Sequence, residues 1–253
     1  MDLAVETHAL TRRFGELAAV DGIDLAVPRG SLYGFLGPNG AGKSTTIKCL
    51  TGLLRPSGGT MRILGLDPAA DGIAIKRQVG VIPEEQALFE RLTAVETLSF
   101  VGQVHGLERA TIQTRAGELL DLLDLSPSAS KLVADYSHGM RKKLALAVAV
   151  LPAPRLLFLD EPFEGIDAVA SRQIKEMLHQ FVGRGGTVFL TSHILEIVER
   201  LADHIGVIHH GKLVAQGSMA ALRSGAGGKT LEEIFLDLVG AGDAEKPPLD
   251  WLA

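Results

Sequence analysis

The sequence predicts an α/β fold built on a parallel sheet, and three observations carry that prediction. Short apolar runs alternate with helix-forming stretches, a glycine-rich turn joins one run to a helix, and across residues 84–150 strands give way to helical periodicity alone. The helical segment is therefore an inserted lobe, and the core resumes after it.

Leu3, Val5, Thr7, Ala9 and Thr11 alternate with charged or polar neighbours. Residues 17–27 and 31–36 follow across short Gly or Pro breaks, so three strands open the chain as an N-terminal antiparallel β subdomain. Residues 44–53 read as a helix, 55–59 as a loop, and 60–64 and 79–82 as short strands. In the lobe, Thr93-x-x-Glu96 is a capping box, and Ile112, Ala116, Leu119, Leu120 and Leu123 set an apolar face at helical spacing. The runs 156–159 and 187–190 are buried parallel strands, and 205–208 with 212–216 make a hairpin around Gly211. Gly225-Ala226-Gly227-Gly228 reads as a flexible joint, Thr230-x-x-Glu233 caps a short amphipathic helix to Val239, and a Pro- and charge-rich tail follows Gly240. The domain reading is one unit over residues 1–218, its lobe at about 84–150, with a C-terminal extension over 219–253.

Apolar residues make up 46% of the chain and charged residues 22%, enough to bury a sizeable core. Twenty-five Lys and Arg against 30 Asp and Glu give a net charge of −5, which argues against a broad nucleic-acid-binding face; no nucleic acid partner is expected. Mean hydropathy is +0.22, yet the longest apolar stretch, residues 144–154, falls short of the roughly 20 residues that span a bilayer. Asp2 and Glu6 sit where a secretory signal would be basic and then apolar, and the single cysteine, Cys49, fits a reducing cytosol. The expected place is cytoplasmic, with any membrane contact made through a partner.

Gly37-Pro38-Asn39-Gly40-Ala41-Gly42-Lys43-Ser44 satisfies the phosphate-loop pattern, between an apolar strand and a helix as that pattern requires. The glycines let the backbone wind around phosphates and aim N–H groups inward at the positive end of the helix dipole. Lys43 is placed to reach the β and γ phosphates, the Ser44 hydroxyl to ligate Mg²⁺, and Thr45 joins the binding set. Downstream, an apolar strand ends in Asp160-Glu161, whose side chains alternate in direction. Asp160 is expected to hold Mg²⁺, through water, and Glu161 to orient and deprotonate the attacking water.

With these motifs in this order the chain resembles the ATP-binding cassette, or ABC, ATPase family from about Leu3 to Ser218. Val81-Ile82-Pro83-Glu84 stands where the family has a loop ending in glutamine. Tyr136-Ser137-His138-Gly139-Met140 is similar to its Leu-Ser-Gly-Gly-Gln signature, Glu164-Gly165-Ile166-Asp167 to its D-loop, and Thr191-Ser192-His193 to its switch histidine. Phe14 stands where the family stacks an aromatic on adenine.

The resemblance implies a P-loop NTPase (RecA-like) core that binds ATP and Mg²⁺, with two protomers head to tail and two ATP molecules between them. It implies that Ser137, Gly139 and Met140 meet the γ-phosphate held by the other subunit, that Asp167 contacts across the interface, and that His193 hydrogen-bonds the γ-phosphate. Ser137 is also an ordinary N-cap, and the helix it opens offers free N–H groups to an anion.

Two of the departures from the family pattern matter for the chemistry. Glu84 brings a carboxylate to the metal, strengthening ligation or repelling phosphate, and His138 replaces a glycine, at a cost of about 1 kcal/mol or more if φ were positive there. Of the remaining candidates, His209-His210 reads as a solvated hairpin end, Cys49 as a small core residue, and Arg141-Lys142-Lys143 as a solvated first helical turn. The leading function is the ATPase subunit of a membrane exporter working with separate membrane-spanning permease subunits and a second ATPase subunit. The alternatives are a soluble ATPase acting on ribosomes or DNA and a regulatory module with impaired hydrolysis.

Overall fold

The computed structural model describes residues 2–85, 87–225 and 230–240. The chain opens with β1 (Leu3–Phe14), β2 (Leu17–Ile23) and β3 (Ala26–Pro28), so the single strand expected over 17–27 is two. The break has a cause in β1, where Ala9 takes a left-handed φ of 48°. The Ala9 N–H there donates to the Asp24 carboxylate at 2.7 Å, and the buried Thr7 hydroxyl donates to the Ile23 carbonyl and accepts from the Leu25 N–H, both at 2.8 Å. Two side chains thus satisfy ladder groups that the irregular register leaves unpaired.

Next come β4 (Leu32–Leu36), α1 (Lys43–Leu50), β5 (Gly58–Ile63) and α2 (Pro68–Lys76). β4, read from sequence with the N-terminal strands, belongs instead to the second sheet, while β5 completes the antiparallel sheet by pairing with β1. α1 stops at Leu50, earlier than the periodicity suggested. α2 was missed: Asp67 caps it by accepting the Ala69 N–H at 2.9 Å, and Pro68 follows at the first turn, where its missing N–H costs nothing.

The remaining elements are β6 (Val79–Ile82), α3 (Ala94–Val104), α4 (Arg109–Leu122), α5 (His138–Val150), β7 (Leu156–Leu159), α6 (Ala168–Gly183), β8 (Thr187–Ser192), α7 (Leu195–Leu201), β9 (His204–His209), β10 (Lys212–Ser218), α8 (Met219–Gly225) and α9 (Leu231–Val239). The second sheet has the order β10-β9-β4-β8-β7-β6, parallel except for β10, which pairs antiparallel with β9.

Alternation along β4 distributes its side chains between two cores. Leu32 and Leu36 join an apolar cluster with α3 to α7, whereas Tyr33 and Phe35 face α1 and the antiparallel sheet. Phe189 of β8 anchors the second core, stacking on Tyr33 at 5.4 Å and meeting Phe35 and Phe158 at 5.3 and 5.6 Å. Leu98, Leu119 and Leu144, from the three helices of residues 94–150, share one cluster with the sheet face.

α9 packs on α7 and β10, burying Leu231, and its Thr230–Glu233 capping box is formed in both directions. Of the expected joint at 225–228, Gly225 ends α8 and the rest, like the tail at 241–253, lies outside the described residues. Among the described residues no helix is long and apolar enough to cross a membrane.

Candidate nucleotide site

The turn between β4 and α1 is shaped for close backbone approach. At Gly42, with φ 110°, a Cβ would lie 2.3 Å from the Ala19 carbonyl, so no other residue fits without displacing β2. No side chain caps α1 at Gly42, which leaves the N–H groups of its first turn to an outside acceptor. Lys43 folds back under the loop, its buried Nζ donating to the carbonyls of Gly37 at 2.7 Å and Pro38 at 3.3 Å. Ala41 is buried and contributes main chain only, its carbonyl accepting the Gly211 N–H at 2.9 Å.

Above this turn opens a cavity of about 370 Å³ lined by Ala19, Asn39, Gly40, Gly42, Lys43, Ser44, Thr45, Glu84, Glu161, Glu164 and His193. Residues distant in sequence thus converge on one space: the phosphate loop, the end of β7, the loop after β6 and the residue following β8. A larger cavity of about 930 Å³ opens near the starts of β7 and β8, beside Arg155, Phe181 and Arg184. It holds none of the motif residues, so size alone does not mark the site.

Glu161 occupies the centre of the motif cavity. One carboxylate oxygen, Oε1, lies 3.3 Å from Lys43 Nζ, and Oε2 lies 3.0 Å from His193 Nδ1. Oε1 is buried and has no well-directed hydrogen bond, so the Lys43 contact is an ion pair without hydrogen-bond geometry. Glu161 also takes a left-handed φ of 48°, a conformation that costs a non-glycine residue about 1 kcal/mol or more. Its N–H is held by the Thr191 hydroxyl at 3.0 Å, and that hydroxyl donates to Asp160 at 2.6 Å. Asp160 therefore sits behind the cavity wall, buried, while Glu161 projects into it. Ser44 Oγ donates to the Glu84 carboxylate at 3.4 Å, bringing two of the three expected metal-binding side chains together.

The other expected site residues lie elsewhere. Ser137 caps α5 by accepting the Met140 N–H at 3.3 Å, and Asp167 caps α6 by accepting the Ala170 N–H at 2.8 Å. Gly139 lies near Asp167, so Ser137, Gly139, Met140 and Asp167 form one cluster, and none of these four lines the phosphate cavity, whereas Glu164 at the start of the D-loop segment does. Phe14 does not line it either: the ring is half exposed, with the Arg12 guanidinium 4.5 Å from its centre, and Ala19 supplies the β2 contact to the cavity.

His138 escapes the penalty anticipated for it. It is the first residue of α5 and has no positive φ; the left-handed residue is Gly165 opposite, at 67°, where an added Cβ would lie 3.3 Å from the His138 ring. His209 and His210 meet ring to ring at 4.0 Å at the hairpin end, and Cys49 is fully buried in the core, where burial raises its thiol pKa.

The solvated first turn expected at 141–143 is wrong for two of its three residues. Lys142 and Lys143 are buried. Lys142 Nζ donates to the main-chain carbonyls of Glu161, at 2.8 Å, and Glu164, while Lys143 Nζ donates to the Gln173 side chain at 3.1 Å. Burial holds both ammonium groups below the usual lysine range, opposed at Lys142 by Glu164, Glu161 and Glu84 and at Lys143 by Asp124 and Asp167. The available signal was the run from Leu144 to Val150, which is apolar on every side, so α5 has no solvated face for a neighbouring lysine to occupy.

Comparison with known proteins agrees with this geometry. The family model described as "ABC transporter" matches residues 20–164. The daunorubicin/doxorubicin resistance ATP-binding protein DrrA of Streptomyces peucetius is 40% identical over 96% of this chain and 74% of that protein. The bacitracin transport ATP-binding protein BcrA of Bacillus licheniformis is 37% identical over 85% and 70%. A solved structure of an ATP-binding subunit of an ABC transporter superposes with a TM-score of 0.87 at 32% identity, covering 93% of this chain and 99% of that one. The family match, the identity with those relatives and the fold shared with the solved subunit place the chain, with its phosphate loop facing an acidic strand end, in the ABC transporter family, as one of its ATP-hydrolysing subunits.

Proposed function

We propose that this chain drives export of a drug-like or antibiotic molecule, as a peripheral subunit at the cytosolic face of the membrane, paired with a second ATPase subunit beneath membrane-spanning permease subunits. The ATPase unit is residues 1–218, with the helices of 84–150 as its moving lobe. The resistance and transport roles named for DrrA and BcrA support the cargo class. The observation that carries the reading is the separation of two half-sites: Lys43, Ser44, Glu84, Glu161 and His193 border one cavity, while Ser137, Gly139, Met140 and Asp167 cluster outside it. A second copy, head to tail, brings its Ser137 cluster to the phosphate end of this cavity and completes the site.

In that complex the free N–H groups of residues 39–45 bind the phosphates and Lys43 neutralises the β and γ oxygens. ATP entry draws Lys43 away from Glu161, leaving that carboxylate free to take the proton of the attacking water. An imidazole that donates Nδ1–H to Glu161 has only an acceptor at Nε2, so His193 becomes a phosphate donor by gaining a proton or by releasing the carboxylate. The residues suit Mg²⁺ as well: Ser44 Oγ and Glu84 meet in the cavity, Asp160 lies directly behind it, and Glu161 Oε1 is a buried acceptor lacking a hydrogen bond. Bound there, the ion supplies charge neutralisation at the phosphates.

Phe89 and Phe100 support docking of the membrane subunit. They pack edge to face at 5.1 Å, yet each remains about half exposed, and Val104 one turn along α3 is 69% exposed. An apolar patch of this kind beside the Glu84 loop suits an apolar partner helix. Phe100→Glu is expected to leave the ATPase activity of the isolated subunit intact and to abolish co-purification with co-expressed membrane-spanning permease subunits. Unchanged co-purification would remove this surface from the interface.

A further inference from the structure

We infer that Lys142 is a positioning residue: from α5, it fixes the turn that carries Glu161 and makes the place of that carboxylate depend on the orientation of the helix. The inference rests on the assignment of Glu161 as the base. Lys142 Nζ donates to the carbonyls of both Glu161 and Glu164, the two ends of the turn, across which the Glu164 N–H also donates to the Glu161 carbonyl at 3.3 Å. That turn holds Glu161 in its left-handed conformation, which persists only where surrounding contacts over-determine it. The Glu161 N–H is fixed from β8 by Thr191, and its carbonyl is fixed from α5 by Lys142. One anchor belongs to the sheet and the other to the helix that Ser137 caps, so a rotation of α5 moves one relative to the other.

The surroundings of Lys142 add to this. It is 5% exposed, a costly place for an ammonium group, and the three carboxylates that favour its charge, those of Glu164, Glu161 and Glu84, all line the nucleotide cavity. Lys142 is thus the counter-charge immediately behind that cavity. The preceding residue, Arg141, extends the connection the other way: its guanidinium lies 3.4 Å from the Glu90 carboxylate and donates to the Ala134 carbonyl at 2.8 Å. Adjacent side chains of one helix therefore join the loop bearing Phe89 to the turn bearing Glu161.

The test uses the full-length chain with Mg-ATP. Lys142→Met, which keeps length and loses the donors, is expected to lower kcat about tenfold or more, since small misplacement of a reacting group has effects of that size, with ATP affinity within about twofold of the parent. Lys142→Arg is expected to recover most of the lost turnover. Added to Glu161→Gln, Lys142→Met should cause no further fall, because the group it positions is already inactive. A folded Lys142→Met with full turnover overturns the inference, as does a matching loss of nucleotide affinity or an equal fall in the Glu161→Gln background. Lys142→Gln, too short to reach both carbonyls, carries the same expectations should the methionine variant not fold. Normal turnover by Glu161→Gln alone overturns the base assignment and this inference with it, whereas an inactive Glu161→Gln beside a fully active Lys142→Met overturns this inference alone.

Discussion

Lys43 and Glu161 are buried against each other at 3.3 Å, and on the function proposed above that pairing competes with ATP. On that proposal the lysine reaches phosphate only by giving up the carboxylate, and the carboxylate faces the incoming anion until it does. Glu161→Gln removes the competing charge and the proton acceptor at once while keeping the side-chain shape. Turnover should fall by a factor on the order of 10² or more, and ATP should bind more tightly than to the parent. Equilibrium titration beside steady-state ATPase separates the two effects; weaker binding by the variant would mean that the carboxylate helps to hold nucleotide rather than opposing it. The residues at or directly behind the cavity were largely legible, because Lys43, Ser44, Glu161 and His193 on its border and Asp160 behind it each sit at a strand end or helix start where backbone geometry restricts what a side chain can do. Lys142 was not legible. Lysine is so seldom buried that composition argues for solvent, and its two acceptors are main-chain carbonyls that no side-chain pattern announces. Phe14 is expected at the site only from its place in the motif order; its ring is half exposed, with the Arg12 guanidinium over it.

At the scale of elements, short-range chemistry was readable and longer-range pairing was not. The Thr93–Glu96 box could be named from four residues, and both of its reciprocal hydrogen bonds are present. Asp67-Pro68 offered an equally local signal for α2, but the flanking sequence has no apolar stripe: of that helix only Ile75 is buried. The division of residues 17–27 depends on Ala9 and Thr7, more than ten residues away, so no local window contains its cause. The capping box also gives an acid-side prediction. The Thr93 N–H and then its hydroxyl hold the Glu96 carboxyl below the usual carboxylate range. A depressed native pKa contributes stability that is fully present above the unfolded-state pKa and is lost as pH falls through the native one. Glu96→Gln should therefore melt below the parent at neutral pH, and the difference should close in the acid range. A gap that stays constant with pH would assign the effect to packing rather than to the carboxylate.

Across the whole molecule, the two clusters of functional residues do not meet within one chain. Lys43, Glu161 and His193 border one cavity, while Ser137 and Asp167 sit outside it at the starts of α5 and α6, which their own side chains cap. Strand order could be anticipated only in outline, since parallel neighbours such as β4 and β8 are brought together by packing across about 150 residues of intervening chain. The two-sided burial of β4 and β7 was nonetheless written in their uninterrupted apolar runs. The measurement that bears most directly on a shared site is the sedimentation of Glu161→Gln with Mg-ATP, alone and with Ser137→Arg added. The account predicts a nucleotide-dependent dimer for the first protein and a monomer that still binds ATP for the second. A Glu161→Gln chain that stays monomeric when saturated with ATP, while the parent hydrolyses at the same rate per chain at every protein concentration, would contradict it.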